Sequence, residues 1–167
     1  MEATKLLKRD HTRVKTLFDK YEKQGDRALQ TKQEIFEQLH AELDVHSRIE
    51  EEIFYPFVKG IRSSELEEMV AESVEEHIVI KRLLSELKSL SPDVEEFDAK
   101  MSVLKENVLH HAEEEEEQKM FPLVVQNASL EERDRIGLEM EARKETLEKG
   151  WSGVVADWFK NLVPQAE

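Results

Sequence analysis

The sequence contains no cysteine. That absence excludes iron–sulfur clusters, thiolate zinc sites, c-type haem attachment, a disulfide framework and a cysteine nucleophile. Glycine and proline are also scarce, 5 and 4 among 167 residues, while 37% of the chain is charged. So few breakers in so charged a chain point to long solvated helices. Positive charge is short as well. Lys and Arg number 24 against 38 Asp and Glu, a formal net charge of −14. Nucleic acids and anionic membranes would repel such a surface, so neither is expected as a partner, whereas cations are concentrated by it. No apolar run reaches the 18 residues of a membrane span, and the first residues lack the apolar core of a signal peptide. The expectation is a cytoplasmic protein with one core of ordinary domain size.

What is present is helical periodicity, with apolar residues recurring at alternating steps of three and four. The first helix carries Leu7, His11, Val14, Phe18 and Tyr21 and should fade near Gly25. The second carries Phe36, Leu39, Leu43, His46, Glu50, Ile53 and Phe57 and should end near Gly60. Ser64 and Glu67 suggest a capping box for the third, which carries Val70, Val74, His77, Ile80, Leu84 and Leu87. After the break at Ser91-Pro92-Asp93, the fourth carries Phe97, Met101, Leu104, Val108, His111 and then Glu115. No segment alternates at period two for the length of a strand. The predicted fold is all-α, an antiparallel up-down-up-down four-helix bundle over residues 1–128. Pro56 and Pro122 predict a kink or local break in the second and fourth helices. Residues 129–167 read as a C-terminal amphipathic helical extension, opened by a Ser129/Glu132 capping box. Its stripe of Trp151, Val154, Val155, Trp158, Phe159 and Leu162 should pack on the bundle or on a second copy, leaving a monomer or a homodimer.

The two halves repeat. His46-Ser-Arg-Ile-Glu50 and the following Phe-Tyr-Pro56 echo His111, Glu116 and the following Met-Phe-Pro122. His11 and His77 are 66 positions apart, and His46 and His111 are 65 apart. Each half is therefore one helical hairpin with a histidine in each helix. The simplest arrangement is a pseudo-twofold axis with four imidazoles facing one another.

In all four helices a histidine stands where the period demands a core residue, and in two an acidic residue follows one turn on. One such histidine is ordinarily satisfied by a backbone carbonyl. Four at matched spacing, with two buried carboxylates, ask for a metal, because an uncompensated buried carboxylate costs several kcal/mol. Four nitrogens and two carboxylates exceed the needs of one tetrahedral zinc. They suit two ions, each with two imidazoles, joined by the carboxylates; iron fits that mixed donor set best. His46 and Glu50 lie four apart on one helix face.

Asp10-His11, His46-x3-Glu50-Glu-Glu-x-Phe-x-Pro56, Glu76-His77, and His110-His111 with its acidic run and Phe121-Pro122 together resemble the hemerythrin-like (HHE cation-binding) domain over residues 5–126. The resemblance implies a non-haem di-iron centre, with or without an oxo bridge, that binds or senses dioxygen or handles iron or nitric oxide. It implies that His11 and His46 ligate one iron and His77 and His111 the other, with Glu50 and an acid of the fourth helix as bridges. The sequence departs from the family's oxygen carriers on the third helix. Ser73 and Lys81 stand four residues either side of His77, so a fifth imidazole is missing. On the fourth helix, Glu115 at i+4 keeps the upstream phase. Glu116 at i+5 keeps the downstream phase and the distance to its proline, provided one π-bulge absorbs a residue. Both are candidate ligands.

Blander roles fit His40 and His110, off the main stripes, and Phe18 and Tyr21 in the core. The run Glu113 to Glu117 is mostly a solvated face. A second Glu-x-x-His pair to match Glu37-x-x-His40, an HExxH motif and nucleotide-binding glycine loops are absent. The expected function is dioxygen binding, sensing or delivery. A di-iron oxidase, a peroxide- or nitric-oxide-handling enzyme, and an iron storage or sensing protein are the alternatives.

Overall fold

The computed structural model of the protein describes residues 1–161, with Val154 described by its backbone alone. Leu162 and the Val154 side chain, both assigned above to the C-terminal stripe, lie outside the described residues. Those residues are all helical and contain no strand. The order is α1 (Ala3–Glu22), α2 (Leu29–Ile49), a π-helical turn π1 (Glu50–Phe54), α3 (Tyr55–Gly60), α4 (Ser64–Lys88), α5 (Glu95–Leu109), π2 (His110–Met120), α6 (Phe121–Asn127), α7 (Leu130–Glu148) and α8 (Val154–Lys160).

Two apolar clusters form the interior. One gathers Leu6 and Leu7 of α1, Val45 and Ile49 of α2, Phe54, Tyr55 and Val58 beyond π1, Leu66 and Val70 of α4, and Met120, Phe121 and Val124. The other gathers Val14, Leu17 and Phe18 of α1, Phe36 and Leu39 of α2, Ile80 and Leu84 of α4, and Phe97, Met101 and Leu104 of α5. Early α1 thus meets late α2, and early α4 meets the end of the α5–α6 stretch. Between the clusters runs a buried polar layer of His11, His46, Glu50, His77, His111 and Glu116.

The helix starts correct one expectation and bear out another. The N-cap of α4 is Ser63, whose hydroxyl accepts from the Leu66 N–H; Ser64 is already helical. Arg62 has a φ of 58°, and the chain returns to extended geometry at Ser63, which places the cap one residue early. The Ser129/Glu132 capping box of α7 forms as the sequence suggests.

Neither proline breaks its helix. Each follows a π-helical segment and sits in the first turn of the α-helix that continues it. The Tyr55 N–H donates to the Glu50 carbonyl, and the Phe121 N–H donates to the Glu116 carbonyl, each five residues back. A proline in a first α-turn lacks only a donor that has no obligatory partner there. The hydrogen-bonding pattern changes at the residue before each ring, so the missing N–H and the change of pitch coincide.

The first π turn also corrects the core register. Straight α-helical phase extends the Glu50 stripe to Ile53 and Phe57, but those two are only partly buried. Phe54 and Val58, one residue later, are fully buried. One extra residue per wide turn rotates everything downstream by one position.

Beyond residue 129 the chain returns to the helices. α7 packs on α1, α2 and π1, and α8 packs on α2. Gly137 is required for this: a Cβ there would lie 1.9 Å from the Met1 carbonyl oxygen. Arg143 forks onto both carboxylate oxygens of Glu52, at 2.6 and 3.1 Å. Val155 is buried, the Trp158 indole N–H donates to Glu42 at 3.0 Å, and Trp151 packs edge-on against His40.

Candidate metal centre

The polar layer brings six of the seven candidate residues together. His11 comes from α1, His46 from α2, Glu50 from the first residue of π1, His77 from α4, and His111 and Glu116 from π2. Glu50 Oε1 lies 3.1 Å from His46 Nε2, and its Oε2 lies 3.1 Å from His77 Nε2. Glu116 Oε2 lies 3.2 Å from His11 Nε2, and its Oε1 lies 3.7 Å from His111 Nε2. Each carboxylate therefore spans the two hairpins. Donor atoms of His11, His46, Glu50 and Glu116 all fall within 4.8 Å of one another, as do those of Glu50, His77 and His111.

Glu115 does not join them. Its carboxylate turns outward to Lys119 at 2.7 Å and lies 3.6 Å from His110. The reason is the long π segment: between His111 and Glu116 the chain advances five residues where an α-helix would need four. The i+5 residue faces the centre, and the i+4 residue, though mostly covered, faces away from it. Exposed His110 pairs with Glu114. His40 stacks on Phe36, away from the cluster.

All four imidazoles are used at both ends. Nε2 points to the centre and Nδ1 meets a carboxylate. His11 Nδ1 meets Glu117 at 2.7 Å, His77 Nδ1 meets Glu51 at 2.7 Å, His111 Nδ1 meets Glu76 at 2.5 Å and His46 Nδ1 meets Asp10 at 3.5 Å. The pattern obeys the sequence repeat: Asp10 and Glu76 each precede a centre histidine, and Glu51 and Glu117 each follow a centre glutamate. A carboxylate on Nδ1 fixes the tautomer that leaves Nε2 free to donate its lone pair to a metal.

Without a metal, the layer is held as mutually stabilised charged pairs. Burial opposes charge on His46, yet the Glu50 charge and the hydrogen bond to Asp10 raise it to about 10. Burial likewise opposes charge on His11, His77 and His111, and neighbouring carboxylates raise all three. Burial would raise the Glu50 carboxyl, but the surrounding histidines hold it well below its usual range. Among the described residues, His11 Nε2, His46 Nε2, Glu50 Oε1 and Glu116 Oε2 are buried without a hydrogen-bond partner. Orphaned buried polar atoms are rare. These four converge on one point, and a cation there would satisfy them all.

Tyr55 was not singled out by the sequence. Its hydroxyl donates to Glu116 Oε1 at 2.9 Å and lies 3.3 Å from His77 Nε2. Burial and the charges of Glu116 and Glu50 push the phenol well above its ordinary range, so it remains a donor. Its only sequence signal is its place before Pro56, matching Phe121 before Pro122. Ser73, one of the two residues four positions from His77, is buried. A cavity of about 310 Å³ reaches the four imidazoles between α2 and α4, walled by Val14, Leu43, Ile80, Leu84 and Val108.

Within the helical described residues, facing sets of imidazoles spanned by two carboxylates define a candidate cation site. Residues 2–124 match the hemerythrin HHE cation binding domain, and the chain belongs to that family. It is similar to the crystal structure of a hemerythrin HHE cation binding domain-containing protein from Mycobacterium kansasii. The TM-score is 0.75 at 25% identity, over 93% of this chain and 98% of that one. It is also 31% identical over 153 residues to a protein of Nostoc sp. called a DNA nickase. That match covers 92% of this chain but only 42% of the Nostoc protein. No helix among the described residues is long and apolar enough to cross a membrane.

Proposed function

We propose that the protein is a non-haem di-iron protein that binds dioxygen or a comparable diatomic ligand. The scaffold of this reading is an up-down-up-down four-helix bundle made of α1, α2 with α3, α4, and α5 with α6. The described residues from 129 to 161 form a separate extension docked on it. His11 and His46 would hold one iron and His77 and His111 the other, with Glu50 and Glu116 supplying carboxylates to both. The observation that carries the reading is the set of four orphaned buried donors aimed at one point. Imidazole and carboxylate without thiolate favour iron over a structural zinc site.

Bound iron would supply the redox and ligand-binding chemistry. The chain's own groups do the rest. The four Nδ1 carboxylates hold the rings in register, and Tyr55 keeps a proton on a fixed oxygen beside Glu116. The cavity, apolar in most of its wall, gives a small neutral molecule a path to the imidazoles. The strongly negative chain argues against carrying the nickase activity of the Nostoc protein over to this one.

The cavity favours a second reading, an oxidase or peroxide-handling enzyme. About 310 Å³ far exceeds the ~30 Å³ share of a single water, so larger substrates fit. The deciding experiment is iron content per chain with absorption spectra of the reduced protein before and after air. The first reading expects about two irons per chain and an oxygenated spectrum that reverts under vacuum. Rapid irreversible oxidation with catalytic peroxide consumption supports the second. A spectrum indifferent to oxygen, or protein that takes up no iron, overturns both.

A further inference from the structure

Three of the four carboxylates behind the imidazoles are within reach of water. Glu76, Glu51 and Glu117 have side-chain exposures of 19%, 31% and 30%. Asp10, behind His46, is different, with a side-chain exposure of 0%. A carboxylate so enclosed needs a cation in place of solvent. The nearest cation does not come from the region matched by the family, which ends at residue 124. It comes from α7: Lys144 Nζ lies 2.6 Å from Asp10 Oδ2, and the lysine side chain is itself only 6% exposed. The same oxygen of Asp10 faces His46 Nδ1. Arg13 and Arg9 approach the other oxygen, at 3.5 and 3.9 Å, and both are more exposed.

The surroundings leave Lys144 little choice of partner. Glu42, also fully enclosed, is 3.9 Å away and accepts the Trp158 indole N–H. α7 is anchored independently by the Gly137 contact with the N-terminal backbone and by the Arg143 fork on Glu52. The ammonium is therefore delivered to a fixed place. Lysines are seldom buried to this degree without a purpose that repays desolvation.

We propose that Lys144 is a positioning residue of the metal centre, pairing with Asp10 and so fixing the carboxylate that orients the His46 ring. The extension thereby completes the half of the site built by His11 and His46. The other half, backed by partly solvated Glu51 and Glu76, needs no such insert. This inference rests on the proposed metal-binding reading.

The test loads wild type, K144M, K144R, D10N and D10N/K144M with ferrous iron and follows release to a chelator, with circular dichroism as the check on folding. K144M is expected to release one of its two irons 10- to 100-fold faster than wild type, the cost typical when the outer partner of a ligating histidine, here Asp10, is no longer held in place. K144R is expected to restore most of the difference. D10N should release iron as K144M does, and the double variant should be no worse than D10N, because the two residues act in series. Should K144M fail to fold, D10N against D10N/K144M still decides: Lys144 keeps Glu42 3.9 Å away in the single variant, and both charges of the pair are gone in the double one. K144M releasing iron at the wild-type rate, or the two substitutions adding independently, overturns the proposal while leaving the metal reading intact. Wild type that takes up no iron overturns both.

Discussion

The Tyr55 hydroxyl, carried on the first hairpin, donates a 2.9 Å hydrogen bond to Glu116 of the second. Phe121, its counterpart before the other proline, can make no such bond and stacks parallel to His11 at 6.0 Å instead. The pseudo-twofold repeat is thus broken by one oxygen atom at its centre. Y55F should keep about two irons per chain. It should lower the stability of the metal-free protein by about 1.5–3 kcal/mol, the range for a hydrogen bond to a charged group. Denaturant unfolding of the metal-free protein checks this, and an unchanged midpoint contradicts it.

Ligand variants should separate by position. E116A, H46A and E50A are expected to fall from about two irons per chain to one or fewer. E115A and H40A should stay near the wild-type value, because their side chains face Lys119 and Phe36. Metal analysis of purified protein is sufficient. Equal losses from E115A and E116A would contradict the inward placement of Glu116.

Proton linkage gives a further expectation. His46 is raised to about 10 by Glu50 and Asp10 against the opposing effect of burial. A raised histidine stabilises the folded state fully below its unfolded value near 6.5, and the contribution is lost as pH climbs through the folded value. Metal-free protein should therefore lose thermal stability between about pH 6.5 and about pH 10. Iron uptake must expel these protons, so its apparent affinity should rise across the same window. Melting curves and pH-stat titration measure the two effects. A metal-free protein that gains stability with pH would contradict the assignment.

The register shift after Glu50 is testable through packing. F54A removes a fully buried ring and should cost about 3–5 kcal/mol. I53A should cost less, since Ile53 is only partly buried at the edge of the same cluster. The reverse order would restore the uninterrupted α-helical phase.

Much of this was legible in the sequence because helical period and donor chemistry coincide. His11, His46, His77 and His111 stand where core residues belong, and burying them without a partner makes little physical sense. The phase of Met120 and the distance to Pro122 also made Glu116 a candidate beside Glu115, without deciding between them. The matching wide turn at Glu50 left no such sign, because His46 and Glu50 keep an ordinary i+4 spacing and the extra residue enters only afterwards. Tyr55 and Lys144 were hidden for a related reason. One lies just past that irregular turn, and the other reaches Asp10 across more than a hundred residues of intervening chain. Periodicity within single helices carries no information about either meeting.

The two wide turns mean that the geometry around His46, Glu50, His111 and Glu116 is stored in the main chain as much as in the side chains. Transplanting the six donors onto an ideal straight-helix scaffold would aim one carboxylate about a quarter-turn astray. A working graft has to carry over the surplus residue and the proline that follows it, as one indivisible cassette.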